Sequence, residues 1–455
     1  MRRTVRGAAF PGSFPIGKKN PRGFALPREH GTRKTRPPFF FMTSDRPSAH
    51  RQFVADVVNA TPAYDIHTHI YDPAFGELLL WGIDDLLTYH YLVAETFRWL
   101  DLPYAKFFAL PKVRQAEIIW DKLFISHSPV SEACRGVLTT LNALGFDVKR
   151  RDLPALRQHY AKWKVEDFIS RVFAVANVRR VCMTNSPFDE IERPVWEKGF
   201  NRDDRFLAAL RIDPLLLDWE NTVPKLRTWG YDVVPDLSGQ TFGEIKRFLA
   251  DWTRRLNAQY CMVSLPPDFQ YPGNDTVSRL IDGAIMPHGR EQNQAFAMMI
   301  GVRRQANPEL QLAGDSVGAA EVGAVERLCA AYPRNKFLCT MLARENQHAL
   351  CVAARKFRNL HVFGCWWFLN TPSLVDEITR MRLELVGLSM TPQHSDARVL
   401  DQVIYKWQHS RAVMANALAD KYDDLIKVGW EPTNADVARD ARDMLGGALE
   451  RFLVS

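Results

Sequence analysis

Short apolar runs alternate along this chain with longer stretches in which apolar residues recur every three or four positions, the signatures of strand and amphipathic helix. The first strand signal is Ala63 to Ile70, after a short helical stretch from about Ser48 to Asn59. From about Gly82 to Lys164, aromatic and leucine residues keep helical spacing, which is too long for an ordinary barrel connection and reads as a helical insertion after the first strand. Seven more strand signals follow: Val178 to Thr184, Phe206 to Arg211, Ala258 to Ser264, Leu310 to Ala313, Lys336 to Thr340, His361 to Trp366 and Gly387 to Thr391. Eight strands separated by helices predict an α/β fold of parallel βα units, closed as a (β/α)8 TIM barrel. A doubly wound open sheet is the competitor, but neither glycine motif of nucleotide-binding loops follows any strand.

Composition changes this picture only at the N-terminus. The 455 residues are 46% hydrophobic and 24% charged, as in an ordinary globular protein, and the net charge of +7 invites a nucleic-acid or membrane reading. That charge is local. Residues 1 to 41 hold ten Lys and Arg against the single acid Glu29, which leaves 49 basic and 51 acidic residues for the rest. Rich in Pro, Gly and Arg and without a signal-peptide apolar run, this leader reads as a disordered basic segment, or as upstream of a true start at Met42. A transit peptide or a nucleic-acid-binding arm is its functional alternative. Residues 42 to 455 form the barrel, with no run of about 20 apolar residues to span a membrane. Seven scattered cysteines without CxxC pairs read as reduced core thiols of a cytoplasmic protein.

The sharpest local chemistry is His67-Thr68-His69, since residues i and i+2 of a strand share a face and can offer two imidazoles to one ion. Two histidines in a turn would be the plain alternative. An acid, Asp396, follows the last strand signal, and the eighth strand of a closed barrel is the neighbour of the first. There Asp396 can bind a metal or act as a base, or else merely cap a helix start beside Arg398.

Several segments in order resemble uronate isomerase, a member of the amidohydrolase superfamily: Asp65 to His69, Tyr89-His90-Tyr91, Cys182 to Asp189, Leu210 to Pro214, Phe363 to Phe368 with its tandem tryptophans, and Ser395-Asp396-Ala397-Arg398. The resemblance spans about Tyr64 to Arg411. It implies a divalent metal, zinc in the first place, on His67, His69 and Asp396, with His90, Tyr91, Arg211, Arg398 and Trp366 around a sugar-acid substrate. It implies aldose to ketose isomerisation of a hexuronate, of the glucuronate to fructuronate type. Such a reaction moves a proton from C2 to C1 through an enediol, for which Asp396 or Tyr91 would carry the proton and Arg398 would hold carboxylate or enediolate oxygen. An uncharged phenol needs a nearby cation before it can act as a base. His90 and Tyr91 also read as a packed helical pair, and Arg211 as a partner of Asp213.

The chain departs from the family where Val263 to Phe269 stands for a Ser-Asp-His-Gly-like segment, Gln311-Leu312-Ala313 for Gln-Leu-His, and Leu92-Val93 for the Trp and Arg expected after Tyr91. These departures keep two alternatives open: a metal-dependent hydrolase of the same superfamily, and a non-catalytic barrel that binds sugar acids. In each reading the partner is a small sugar acid rather than nucleic acid or membrane, with homo-oligomerisation open.

Overall fold

The computed structural model describes residues 49–455. The expectations for the leader and for Met42 lie outside the described residues. Seven parallel strands, β1 (Ala63–Thr68), β2 (Val178–Asn185), β3 (Phe206–Arg211), β4 (Ala258–Leu265), β5 (Ala295–Ile300), β6 (Phe337–Met341) and β7 (Leu360–Val362), hydrogen-bond in sequence order as one curled sheet. This is the sheet of a TIM-like barrel.

Two of the strand expectations are corrected. Leu310 to Ala313 is not a strand but part of a 3-10 segment, Pro308–Gly314, with Gln311 in the left-handed region at φ 52°. The fifth strand is instead Ala295–Ile300, Ala-Phe-Ala-Met-Met-Ile, every residue of which is buried. Gly387 to Thr391 is likewise not a regular eighth strand, because the helix Pro372–Val386 runs to Gly387 and only Thr391 makes an isolated parallel bridge, to Phe363. The seam is closed by irregular chain. Gly364 N–H donates to Thr391 O at 2.8 Å, Asp396 N–H to His67 O at 3.2 Å and His69 N–H to Ala397 O at 2.8 Å.

Between β1 and β2 the chain is helical, ending in Val165–Ala176. The 26-residue helix Gln402–Lys427 packs against that helix and against Ala49–Ala60. Its buried Arg411 donates to the carbonyls of Val58, Thr61 and Asn177, tying three chain segments at the N-terminal end of β2. Inside the sheet, Tyr64, Ile66, Cys182, Ala209, Tyr260, Met262, Ala297, Met299, Leu338 and Phe363 pack as one cluster, so the interior is filled rather than hollow. No helix among the described residues is long and apolar enough to cross a membrane. All seven cysteines are buried and unpaired.

Candidate functional site

Strand β1 carries an irregularity that aims the histidines. Asp65 pairs with Val181 and Thr68 with Met183, so three steps on β1 span two on β2, the count of a β-bulge. Ile66 stays in the interior cluster, and His67 and His69 beyond the bulge turn to the cavity at the strand ends. Asp65 is fully buried and accepts from Ser395 N–H at 2.9 Å and Trp407 Nε1–H at 2.8 Å, pinning the seam segment beside β1. Asp396 then takes a left-handed backbone, φ 51°, a conformation that aspartate tolerates and that a surrounding structure must hold.

The result is convergence on one oxygen. Nε2 of His67 and Nε2 of His69 each lie 3.4 Å from Asp396 Oδ1. Two bonds of about 2.1 Å meeting at a tetrahedral angle separate their ligand atoms by about 3.4 Å, so each imidazole already sits one such edge from the carboxylate, and the three donors all lie within 4.8 Å of one another. Asp396 Oδ1 is buried with no hydrogen-bond partner among the described residues, as a reserved ligand atom would be. Thr184 Oγ1 lies 2.9 Å from His69 Nδ1 and fixes the ring with Nε2 inward. Burial, helped by Arg398, pushes His69 down to about 3, so the ring is neutral, the ligating form. Burial would raise Asp396, but the two imidazoles outweigh it and hold the carboxyl well below the usual range. These three residues fit a divalent ion.

Replacing Thr184 by Val keeps the shape and removes that orienting contact. Metal affinity, titrated against a chelator, is expected to fall about ten- to a hundredfold with the fold intact. A wild-type affinity would show that His69 needs no such partner.

The surrounding cavity is also lined by His90, Arg211, Arg398 and Trp366, so seven of the eight residues singled out from sequence meet in one place. Tyr91 is the exception. It packs behind His90, with ring centroids 4.5 Å apart, and the cavity wall at that point is Tyr89. Sequence reasoning also missed Met262, Ser264, Met299, Arg304 and Trp367, which line the same space. Arg304 arrives on a hairpin that pairs Val302–Arg303 with Ser316–Val317, and no local motif signals it.

Three guanidinium groups face this cavity, and they differ in one respect. Arg211 is held by Asp213 through two bonds, 3.0 and 2.8 Å, and Arg304 by Asp315 at 2.6 Å. The Arg398 guanidinium has no carboxylate partner among the described residues, only its main-chain N–H bonding to Gln402 Oε1. Arg398 is therefore the charge left over for an anion.

His394, to which the sequence reading assigns no role, is fully buried 5.1 Å from the His67 ring, with neither nitrogen hydrogen-bonded among the described residues. It lies against Gly364 (φ 68°), where a Cβ would come within 1.8 Å of its Nδ1. Only glycine leaves room for that ring.

Among solved structures, the chain is similar to a uronate isomerase from Bacillus halodurans C-125, with 50% identity over 90% of this chain and 98% of that one and a TM-score of 0.88. It shares its fold with a glucuronate isomerase from Caulobacter crescentus, 14% identical over 90% of this chain and 95% of that one (TM-score 0.71). A uronate isomerase from Thermotoga maritima shares it too, 14% identical over 88% and 97% (TM-score 0.61). No family model and no curated protein sequence matches the chain.

Proposed function

The chain belongs to the uronate isomerase family and is an isomerase of that kind; from this premise we propose that it interconverts a hexuronate and its keto form at the His67, His69 and Asp396 centre. The observation that carries the assignment to this cavity is the meeting of a three-donor metal cluster with one uncompensated arginine. We read the ion as zinc, which suits two imidazoles and a carboxylate. Once bound, it supplies a positive charge that polarises substrate oxygen.

The chain's own residues account for the rest. Arg398 grips the sugar acid's carboxylate or the enediolate oxygen through a planar fork. Arg211 and Arg304, each already offset by an aspartate, donate to neutral oxygens without adding net charge. Asp396, kept ionised, accepts the C2 proton and returns it at C1. Tyr91 is the second proton carrier, working through Tyr89 at the cavity wall, to which its hydroxyl donates; burial pushes the Tyr91 phenol well above the usual range, so at rest it is an acid. His90 and Trp366 shape the walls. In this reading residues 82 to 164 are an insertion that brings His90 to the barrel mouth. The substrate is a small sugar acid, and the buried thiols suit a reducing, cytoplasmic setting.

A panel of hexuronates in deuterated water tests this by NMR. At least one is expected to exchange its C2 proton and convert to the ketose. Binding without exchange by the metal-loaded protein would favour the non-catalytic barrel instead.

A further inference from the structure

One buried cation has no part in the chemistry above. Lys406, on the helix Gln402–Lys427, is 3% exposed and has no carboxylate within ion-pair distance among the described residues. Its Nζ instead stands 5.6 Å from the centre of the Tyr91 ring and 5.4 Å from that of Tyr405. A lysine is almost never buried without a counter-ion, because the ammonium gives up its hydration with little in return. A purely structural role at this position would be met better by methionine or leucine.

We propose that Lys406 is a positioning residue for the isomerisation, acting through Tyr91: its ammonium, sealed behind the ring, stabilises the phenolate that forms when Tyr91 gives up its proton. The inference rests on the reading of Tyr91 as a proton carrier. A cation over an aromatic face is attracted to the neutral ring and far more strongly to the anion. Tyr91 sits where that help is needed: its ring packs on those of Tyr89 and His90, Lys406 stands over its face, and Tyr89, Asp396 and Tyr405 all oppose its ionisation. Lys406 in turn faces Glu132 from the helix Glu132–Ala143, Asp65 from β1 and Asp396 from the seam, all of which favour its charged form against burial. Burial wins in part, and Lys406 is brought down to about 8.

Two variants and their combination test this on the metal-loaded enzyme. Lys406→Met removes the charge at similar volume. It is expected to lower kcat at least tenfold with little change in KM, while the melting temperature holds or rises because a buried charge has gone. Lys406→Arg keeps the charge and is expected to restore most of the rate. It should also remove the alkaline fall-off that the wild type shows near pH 8 as Lys406 loses its proton. In the cycle with Tyr91→Phe, the double variant should be no slower than Tyr91→Phe alone, since both remove one function. Losses that multiply would overturn the action of Lys406 through Tyr91. A Tyr91→Phe enzyme with the wild-type rate would instead sink the reading of Tyr91, and the inference with it. Lys406→Met at full rate with an unshifted pH profile would leave the lysine structural.

Discussion

Replacing His67 and His69 together by alanine is expected to strip the metal and lower isomerisation at least about a thousandfold on a protein that still folds. The two Nε2 atoms and Asp396 Oδ1 supply all the protein donors that cluster here among the described residues, so removing two leaves one carboxylate, which holds no ion tightly. The fold should survive because both rings face the cavity end of β1, beyond the packed interior of Tyr64, Ile66 and Tyr260. Asp396 pays the local cost, since burial raises its pKa and the imidazoles that countered it are gone. Elemental analysis beside circular dichroism is the measurement. An unchanged metal content in the double variant would dismiss the centre.

Arg398→Lys is the second large effect. It keeps the charge and loses the planar fork, and should cost about 2 to 4 kcal/mol of transition-state stabilisation, roughly thirty- to a thousandfold in kcat/KM. Stability should hardly move, because the guanidinium pairs with no carboxylate that its loss would strand. Arg211 gives the contrast: its bidentate partner Asp213 would be left behind, so a change there mixes rate with folding. Thermal unfolding and kcat/KM on one preparation of Arg398→Lys separate the cases. A defect that tracks a lowered melting temperature would make Arg398 structural and move the anion clamp to Arg211.

How much of this was legible depends on what a residue's signal is made of. His67 and His69 announce themselves because strand period alone puts them on one face, although the bulge that turns this face to the cavity left no trace in the spacing. β5 was missed for the opposite reason. Ala-Phe-Ala-Met-Met-Ile is buried on both faces, as parallel strands are, and so lacks the alternation that Leu310-Gln311-Leu312 displays while folding as a 3-10 turn. Tyr89 and Tyr91 are two residues apart at one helix start, and only the fold shows that Tyr89 reaches the cavity while Tyr91 packs on Phe368 and the intervening His90 on Trp367, contacts that join distant parts of the chain. Arg304 and Lys406 are ordinary cations in sequence. Only the hairpin and the long helix bring them to the site.

The irregular seam between β7 and β1 has a consequence for how the molecule breathes. Every other junction in the sheet is a ladder of paired strands, but here a few main-chain bonds and the Asp65 carboxylate carry the load. Local opening of the wall therefore requires the least free energy at this junction. Asp396 stands on one lip of it and the two histidines on the other, so any ion or sugar that engages both acts as a rivet across the gap. Binding that bridges both lips is then expected to stabilise the closed wall by mass action, as any ligand that favours one state does.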